Sequence, residues 1–196
     1  MPAHLQAYGQ TWVEHHPDWT HGLWSEDTLP TLRNQRLFDQ AEELVPADAV
    51  GQFRADIARY ELLLEHGGIW VDADLECLRP IGDLVRDADC FAGWERQNVW
   101  VGNTILGTVP GHPFLAALVE GLATNVRRRA GSRPNKLSGP QYLTRVYRRH
   151  AKSVTVFGQG LFFPYGWDEL DRQGESFPDA YTIHHWDHQR TLQSAG

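Results

Sequence analysis

Residues 53–75, FRADIARYELLLEHGGIWVDADL, force a complete change of backbone state within a few turns of chain. Phe53, Ile57, Tyr60 and Leu64 recur on a 3.6-residue period, which predicts a helix packed along that stripe. Asp56 lies at the edge of the stripe, with Arg59 one turn on from it. Gly67-Gly68 supply the positive φ that ends a helix, and His66 stands in the last turn at the negative end of the dipole. Ile69, Trp70 and Val71 are strand formers, and Asp72-Ala73-Asp74 follows at once. Alternation along an extended chain predicts that Asp72 and Asp74 point the same way from the edge of a sheet. Two carboxylates so placed repel each other unless a cation sits beside them. Mg²⁺ and Mn²⁺ bind oxygen ligands and keep positions open for phosphates, so the pattern predicts a metal and diphosphate site. The tripeptide alone is weak: Asp87-Ala88-Asp89 repeats it, after Arg86 and before an apolar run, and reads as a solvated turn. The surrounding helix, glycine pair and strand carry the inference.

Residues 55–81, ADIARYELLLEHGGIWVDADLECLRPI, resemble the core signature of the DXD-motif glycosyltransferases of the GT-A fold. The match comprises Asp56 and Arg59, the Gly-Gly-Ile-aromatic run, Asp72 and Asp74, and Pro80; weaker similarity extends over most of the chain. The resemblance implies an α/β fold with a mixed central sheet flanked by helices, in a single domain over residues 1–196. It implies transfer of a hexose, with retention, from a UDP- or GDP-sugar to an unknown glycan, lipid or protein acceptor, with Mn²⁺ or Mg²⁺ as cofactor. By the same resemblance Asp74 is the direct metal ligand, and Asp72 meets the donor ribose with a share in the metal. His184 completes the metal shell, Asp56 and Arg59 bind the donor sugar's hydroxyls, and Asn103 lies near that sugar. Gly139 and Pro140 border the cleft. The family usually opens with an Ile/His/Trp-rich strand ahead of its first helix. No such stretch precedes residues 3–16, so the expected fold lacks that strand and its share of the base pocket.

Bland readings accompany several of these residues. Asp56 and Arg59 have the spacing of an ordinary helix ion pair. Asn103 suits a buried or turn position satisfying backbone groups. Ser138 and Pro140 suit the cap and first turn of a helix. His184 suits a hydrogen-bonded strand histidine, and its spacing from His188 fits a helical metal pair, but Tyr181-Thr182-Ile183 is strand-like and no Glu lies between them. An inactive sugar- or nucleotide-binding derivative is the principal alternative. A phosphatase with Asp72 as nucleophile fits less well, because Leu75-Glu76 follow the pair and the pair falls mid-chain.

Elsewhere the periodicity predicts helices over 3–16, 31–44, 49–66, 110–129 and onward from 138. Strands are expected over 22–25, 90–94, 99–107 and 154–157, a turn at 80–83 and a loop over 131–135; residues 161–165 resemble the family's late aromatic-proline strand, and 181–186 its last recognisable element. A net charge of −7 over 196 residues argues against a nucleic-acid partner. Arg127-Arg128-Arg129 and Arg148-Arg149 are local exceptions, read as solvated helix faces or, more weakly, as contacts for a membrane surface or an anionic acceptor. Cys77 and Cys90 make neither a disulfide framework nor a zinc site, no apolar run approaches ~20 residues, and no basic-then-apolar leader opens the chain. These features make a cytoplasmic location the expected one. The eight tryptophans suit sugar platforms or core packing.

Overall fold

The computed structural model describes residues 1–187. Helix α1 (Ala3–His15) leads through a long irregular stretch to two short helices, α2 (Gln35–Asp39) and α3 (Ala41–Leu44), and then to α4 (Val50–His66). There follow β1 (Gly68–Val71), β2 (Leu75–Cys77), the short α5 (Gly82–Val85), β3 (Cys90–Arg96) and β4 (Trp100–Thr108). Helices α6 (Pro113–Arg128), α7 (Pro134–Leu137) and α8 (Pro140–His150) precede β5 (Thr155–Phe157), α9 (Gln159–Phe162) and β6 (Thr182–His184). The main sheet has the order β1-β4-β3-β5 and is mixed: β4 runs antiparallel to both β1 and β3, while β5 is parallel to β3. A second, two-stranded sheet pairs β2 with β6.

Alternation along the strands explains why the sheet is covered on both faces. Cys90, Ala92 and Leu106 join one core with Phe53, Ile57 and Tyr60 of α4, Leu118 and Leu122 of α6, and Leu143 of α8. Their neighbours Phe91 and Ile105 turn the other way, into a core with Trp12 of α1, Leu75, Ile81 and Phe162. Phe91 faces Gly107 across the β3–β4 ladder, where a Cβ on the glycine would come within 2.0 Å of the Phe91 ring. The mixed sheet flanked by helices is the architecture expected from sequence, and among the described residues no strand precedes α4.

Four local expectations are corrected. Residues 22–25 form no strand; they lie with Leu23 and Trp24 exposed and no neighbouring strand to pair with. The helix expected over 31–44 starts only at Gln35 and breaks at Gln40. The buried Glu61 carboxylate takes the backbone N–H groups of Arg33 and Asn34, which would otherwise enter that helix. Residues 161–165 are not a strand: Phe162 and Phe163 are both fully buried, and the turn of α9 accommodates two consecutive inward aromatics where a strand would expel one. The loop expected over 131–135 gives way at Pro134 to α7. Among the described residues no helix is long and apolar enough to cross a membrane.

The glycine pair behaves as expected, with φ of 68° at Gly67 and 87° at Gly68. Gly67 is further constrained, because an added Cβ would fall 2.6 Å from Pro110 Cδ and 2.9 Å from the Thr108 carbonyl oxygen. Gly67→Ala should therefore cost at least about 2 kcal/mol in urea unfolding, while Gly68→Ala, facing open space, should cost about 1 kcal/mol. Equal costs at the two positions would show that crowding at Pro110 is relieved by movement.

Candidate active site

Helix α4 delivers Asp56, Arg59 and Tyr60 to the point where β1 ends. Asp56 is 1% exposed and Arg59 is 2% exposed, so this is a buried charge pair. Asp56 Oδ1 accepts from Asn103 Nδ2 at 2.7 Å, and Oδ2 accepts from the Ser138 hydroxyl at 2.7 Å. Tyr60 donates its hydroxyl to the Ser138 carbonyl oxygen at 2.5 Å, and its oxygen lies 3.3 Å from Asn103 Nδ2. Burial raises the Asp56 carboxyl to about 6, against the opposing pull of Arg59, Ser138 and Asn103.

Arg59 Nη2 donates to Asp72 Oδ1, which also accepts from Trp70 Nε1 at 2.8 Å. The guanidinium stands over the Trp70 ring, 5.3 Å from its centroid. Nη1 lies 3.4 Å from Asp56 Oδ1, yet Nη1 and Nε are buried and donate no hydrogen bond. Buried donors are almost always satisfied, so these two are exceptions within the network.

Asp72 and Asp74 converge, but not by strand alternation. The ladder runs one residue past β1, with Asp72 N–H donating to the Thr104 carbonyl at 2.9 Å; Leu75 N–H then donates back to the Asp72 carbonyl at 3.0 Å, closing a turn. That turn, rather than an extended chain, aims Asp74 at β6, where Leu75 pairs with His184. His184 Nε2 lies 3.1 Å from Asp74 Oδ1, and the backbone N–H of Asp187 donates to Asp74 Oδ2 at 3.1 Å. Burial pushes the Asp74 carboxyl up, but the charge and hydrogen bond of His184 outweigh it and hold the group at about 2. Burial depresses His184, and Asp74 more than restores it, so its net shift is upward. Asp72, Asp74 and His184 each offer a ligand atom within 4.8 Å of the others. Two carboxylate oxygens and one imidazole nitrogen suit a divalent ion such as Mn²⁺, so the residues present fit such a cofactor.

The other sequence-selected residues fall around this centre. Asn103 meets the Asp56 carboxylate. Gly139 caps α8 so closely that a Cβ would lie 3.4 Å from Asp56 Oδ2, and Pro140 occupies the first position of the helix. His188 and its neighbours Gln189 and Arg190 lie outside the described residues. Ser138 does not N-cap α8, a position Gly139 takes; it is the C-cap of α7, and its hydroxyl is spent on Asp56, which hydroxyl-before-proline spacing could not reveal. Glu95 escaped the sequence reading altogether. Burial pushes its carboxyl up to about 7; His184 pulls it down, and Asp72 and Asp56 push it further up. Its only signal was an acidic residue interrupting an apolar strand. His185 stacks on Tyr8 of α1, with centroids 4.1 Å apart, and bonds Glu76 at 2.8 Å, so α1 braces the segment that carries His184.

Residues 2–92 match the model of the family described as glycosyltransferase sugar-binding region containing DXD motif. The chain is 30% identical over 114 residues to inositol phosphoceramide mannosyltransferase 3 of Schizosaccharomyces pombe, covering 56% of this chain and 30% of that one. It is 32% identical over 112 residues to the initiation-specific alpha-1,6-mannosyltransferase of Saccharomyces cerevisiae, covering 54% and 21%. It is 24% identical over 156 residues to the human alpha-1,4-N-acetylglucosaminyltransferase, covering 68% and 42%. The chain therefore spans less than half the length of each of these relatives. Among solved structures, PaToxG glycosyltransferase superposes with a TM-score of 0.49 at 18% identity, covering 75% of this chain and 53% of that one.

Ionisation of Asp56 yields a test of the buried network. Its carboxyl is raised in the folded state, so its contribution to stability is full below about pH 4 and is lost as pH rises through about 6. On lowering pH from neutrality to 5, the wild type should gain roughly 1–1.5 kcal/mol relative to Asp56→Asn in urea unfolding. A difference between the two proteins that does not change with pH would place the Asp56 carboxyl near its solution value.

Proposed function

We propose that this chain, whose residues 2–92 match the DXD-motif glycosyltransferase family, transfers a hexose from a nucleoside diphosphate sugar, with a divalent cation and retention of anomeric configuration. The observation that carries this reading is the Asp72–Asp74–His184 cluster, its ligand atoms within 4.8 Å, beside the two unspent donors of Arg59. Breaking the anomeric C–O bond leaves a diphosphate of growing negative charge. When bound, Mn²⁺ or Mg²⁺ supplies Lewis-acid neutralisation of that charge. The chain's own residues prepare the place. His184 keeps Asp74 ionised down to acid pH, and Asp72 turns one oxygen to Arg59 while its other oxygen accepts no hydrogen bond among the described residues. Arg59 is clamped between two carboxylates, Nη1 against Asp56 and Nη2 against Asp72, which presets its positive charge beside the place of the donor's diphosphate. Asp56, with both oxygens spent on Asn103 and Ser138, acts in this reading by positioning Arg59 rather than by reaching the sugar. Burial raises the Glu95 carboxyl to about 7, which favours its neutral form and limits the negative charge facing an incoming diphosphate. A front-face route, in which the leaving diphosphate takes the acceptor's proton, needs no protein base.

The named relatives act in mannosyl and N-acetylglucosaminyl transfer, which supports a hexose or hexosamine donor carried on UDP or GDP. One of them is named for a phosphoceramide acceptor, so a lipid stands beside a glycan or a protein as acceptor. A second reading, binding of the sugar nucleotide without transfer, is favoured by the closed pairing of Asp74 with His184. Calorimetry alongside nucleotide release separates the two, since binding without release supports the second.

With UDP- and GDP-hexoses as substrates, Asp74→Asn should lower Mn²⁺-dependent nucleotide release by on the order of 10²–10³-fold, and a chelator should do the same to the wild type. Turnover like the wild type's in that variant would remove Asp74 from the mechanism. Arg59→Ala should weaken binding of the sugar nucleotide more than of the free nucleotide. An equal loss for both would contradict a role at the transferred sugar.

A further inference from the structure

Helices α6 and α8 pack antiparallel: Phe114 at the start of α6 lies against His150 at the end of α8, and Tyr142 near the start of α8 donates to the Leu118 carbonyl at 2.7 Å. Between them runs a groove of about 650 Å³. Ala117, Gly121, Tyr142 and Val146 form its floor, and Arg128, Arg129, Arg145, Arg149 and His150 line it; no carboxylate does. In a chain of net charge −7, this is a marked segregation of positive charge.

Helix dipoles explain part of it. Arg127 and Arg128 occupy the last turn of α6, and Arg148 and Arg149 that of α8, where cations are favoured. The same holds for Arg129, the C-cap of α6, but not for Arg145, which sits mid-helix beside it. Burial depresses Arg145, and the charges of Arg129 and Arg148 depress it further. Arg128, Arg129 and Arg149 have no ion-pair partner among the described residues, although acidic residues outnumber basic ones in the chain, 25 to 18. Arg145 donates to Asn125 Oδ1 at 3.0 Å and to the Lys136 carbonyl at 2.8 Å, so it is the exposed Arg128, Arg129 and Arg149 that leave positive charge around this partly apolar groove open to an external anion.

We infer that the α6–α8 groove seats the headgroup of an anionic phospholipid and so docks this face of the molecule on a bilayer. Guanidinium forks match phosphate oxygens in pairs. The Ala117, Gly121 and Val146 floor offers apolar contact for the glycerol and first methylenes of the same lipid. A groove of this volume falls in the range that holds one small ligand rather than a polymer. It also presents no free aromatic face for base stacking, because Tyr142 is buried with its hydroxyl spent on Leu118. The inference stands on the groove alone and does not require the transferase reading.

The test is co-sedimentation of the full chain with vesicles of phosphatidylcholine, and of phosphatidylcholine mixed with phosphatidylserine, at low and high salt. Binding should occur only with the mixed vesicles and fall with salt. The triple variant Arg128→Gln, Arg129→Gln, Arg149→Gln should lose on the order of 10²-fold in partitioning. All three side chains are exposed, so the fold should persist, checked by unchanged circular dichroism. A charge-matched control, Arg33→Gln, Arg36→Gln, Arg96→Gln, should bind as the wild type does. No binding to mixed vesicles would overturn the proposal, as would equal losses in the triple variant and the control. Saturation by inorganic phosphate, soluble glycerophosphoserine or an oligonucleotide, without vesicle binding, would also overturn it and mark a soluble-anion site.

Discussion

The buried guanidinium of Arg59 is the interaction on which the candidate site depends. Taking a cation and the Asp56 carboxylate out of water costs several kcal/mol per ion, and the cost is offset only where every partner is in place. Here the partners come from four elements: Asp56 on α4 itself, Asp72 and Trp70 at the end of β1, Asn103 on β4, and Ser138 just before α8. Removing one leaves a charge uncompensated, so the network welds these elements together more strictly than apolar packing alone. It also demands Arg rather than Lys, because a single planar fork must reach Asp56 and Asp72 at once and still present further donors. The two donors left over are the part of the network that protein atoms do not complete.

Delivery of the Asp74 carboxylate to the Asp72–His184 cluster is a separate problem, solved at the seam of two sheets. β1 is held in register against β4, with Val71 opposite Ile105, and the ladder extends to Asp72. The next residues leave the main sheet through the turn closed by Leu75, and the chain re-enters pairing as β2 against β6. Asp72 therefore belongs to one sheet and Asp74 to the passage into the other. His184 reaches Asp74 because β2 and β6 pair with Leu75 opposite His184, and because His185 N–H donates to the Asp74 carbonyl at 3.0 Å. Trp186, at the positive φ of 55°, turns its ring onto His184 at 3.9 Å between centroids. Strain of that kind is tolerated where surrounding contacts over-determine it.

What could be read in the sequence was whatever rested on local periodicity and punctuation. Helix α4, the glycine stop, β1, and the paired strands β3 and β4 all follow from spacing and β-branching within their own residues. What escaped depended on partners distant in sequence. Nothing within residues 31–44 announces that Glu61 will take the amides of Arg33 and Asn34 and postpone a helix. Phe162 and Phe163 look like strand formers until both must be buried side by side. Ser138 has the local credentials of a cap, and only tertiary structure shows its hydroxyl on Asp56, 82 residues away in sequence. The convergence of Asp72 and Asp74 was expected for the wrong geometric reason, since a turn rather than a strand achieves it. Glu95 shows the limit most plainly, because its character comes from burial among other charges, which no residue next to it in sequence encodes.

Helix α8 divides two electrostatic environments. Its N-terminus, at Gly139 and Pro140, faces the Asp56 carboxylate, so the positive end of its dipole is spent on that buried group. Its far end and outer face carry Arg145, Arg148, Arg149 and His150, which the negative end of the dipole favours. Across one helix of roughly 16 Å the surroundings change from a cluster of carboxyls to a cluster of guanidiniums. The two ends face opposite requirements toward the same kind of ligand. A diphosphate approaching Asp72, Asp74 and Glu95 meets negative charge and needs a cation between, whereas a phosphate approaching the α6–α8 groove needs none. In the proposed reading, phosphate binding beside Asp72 and Asp74 is tied to metal, whereas the attraction of anions proposed for the outer face falls with salt.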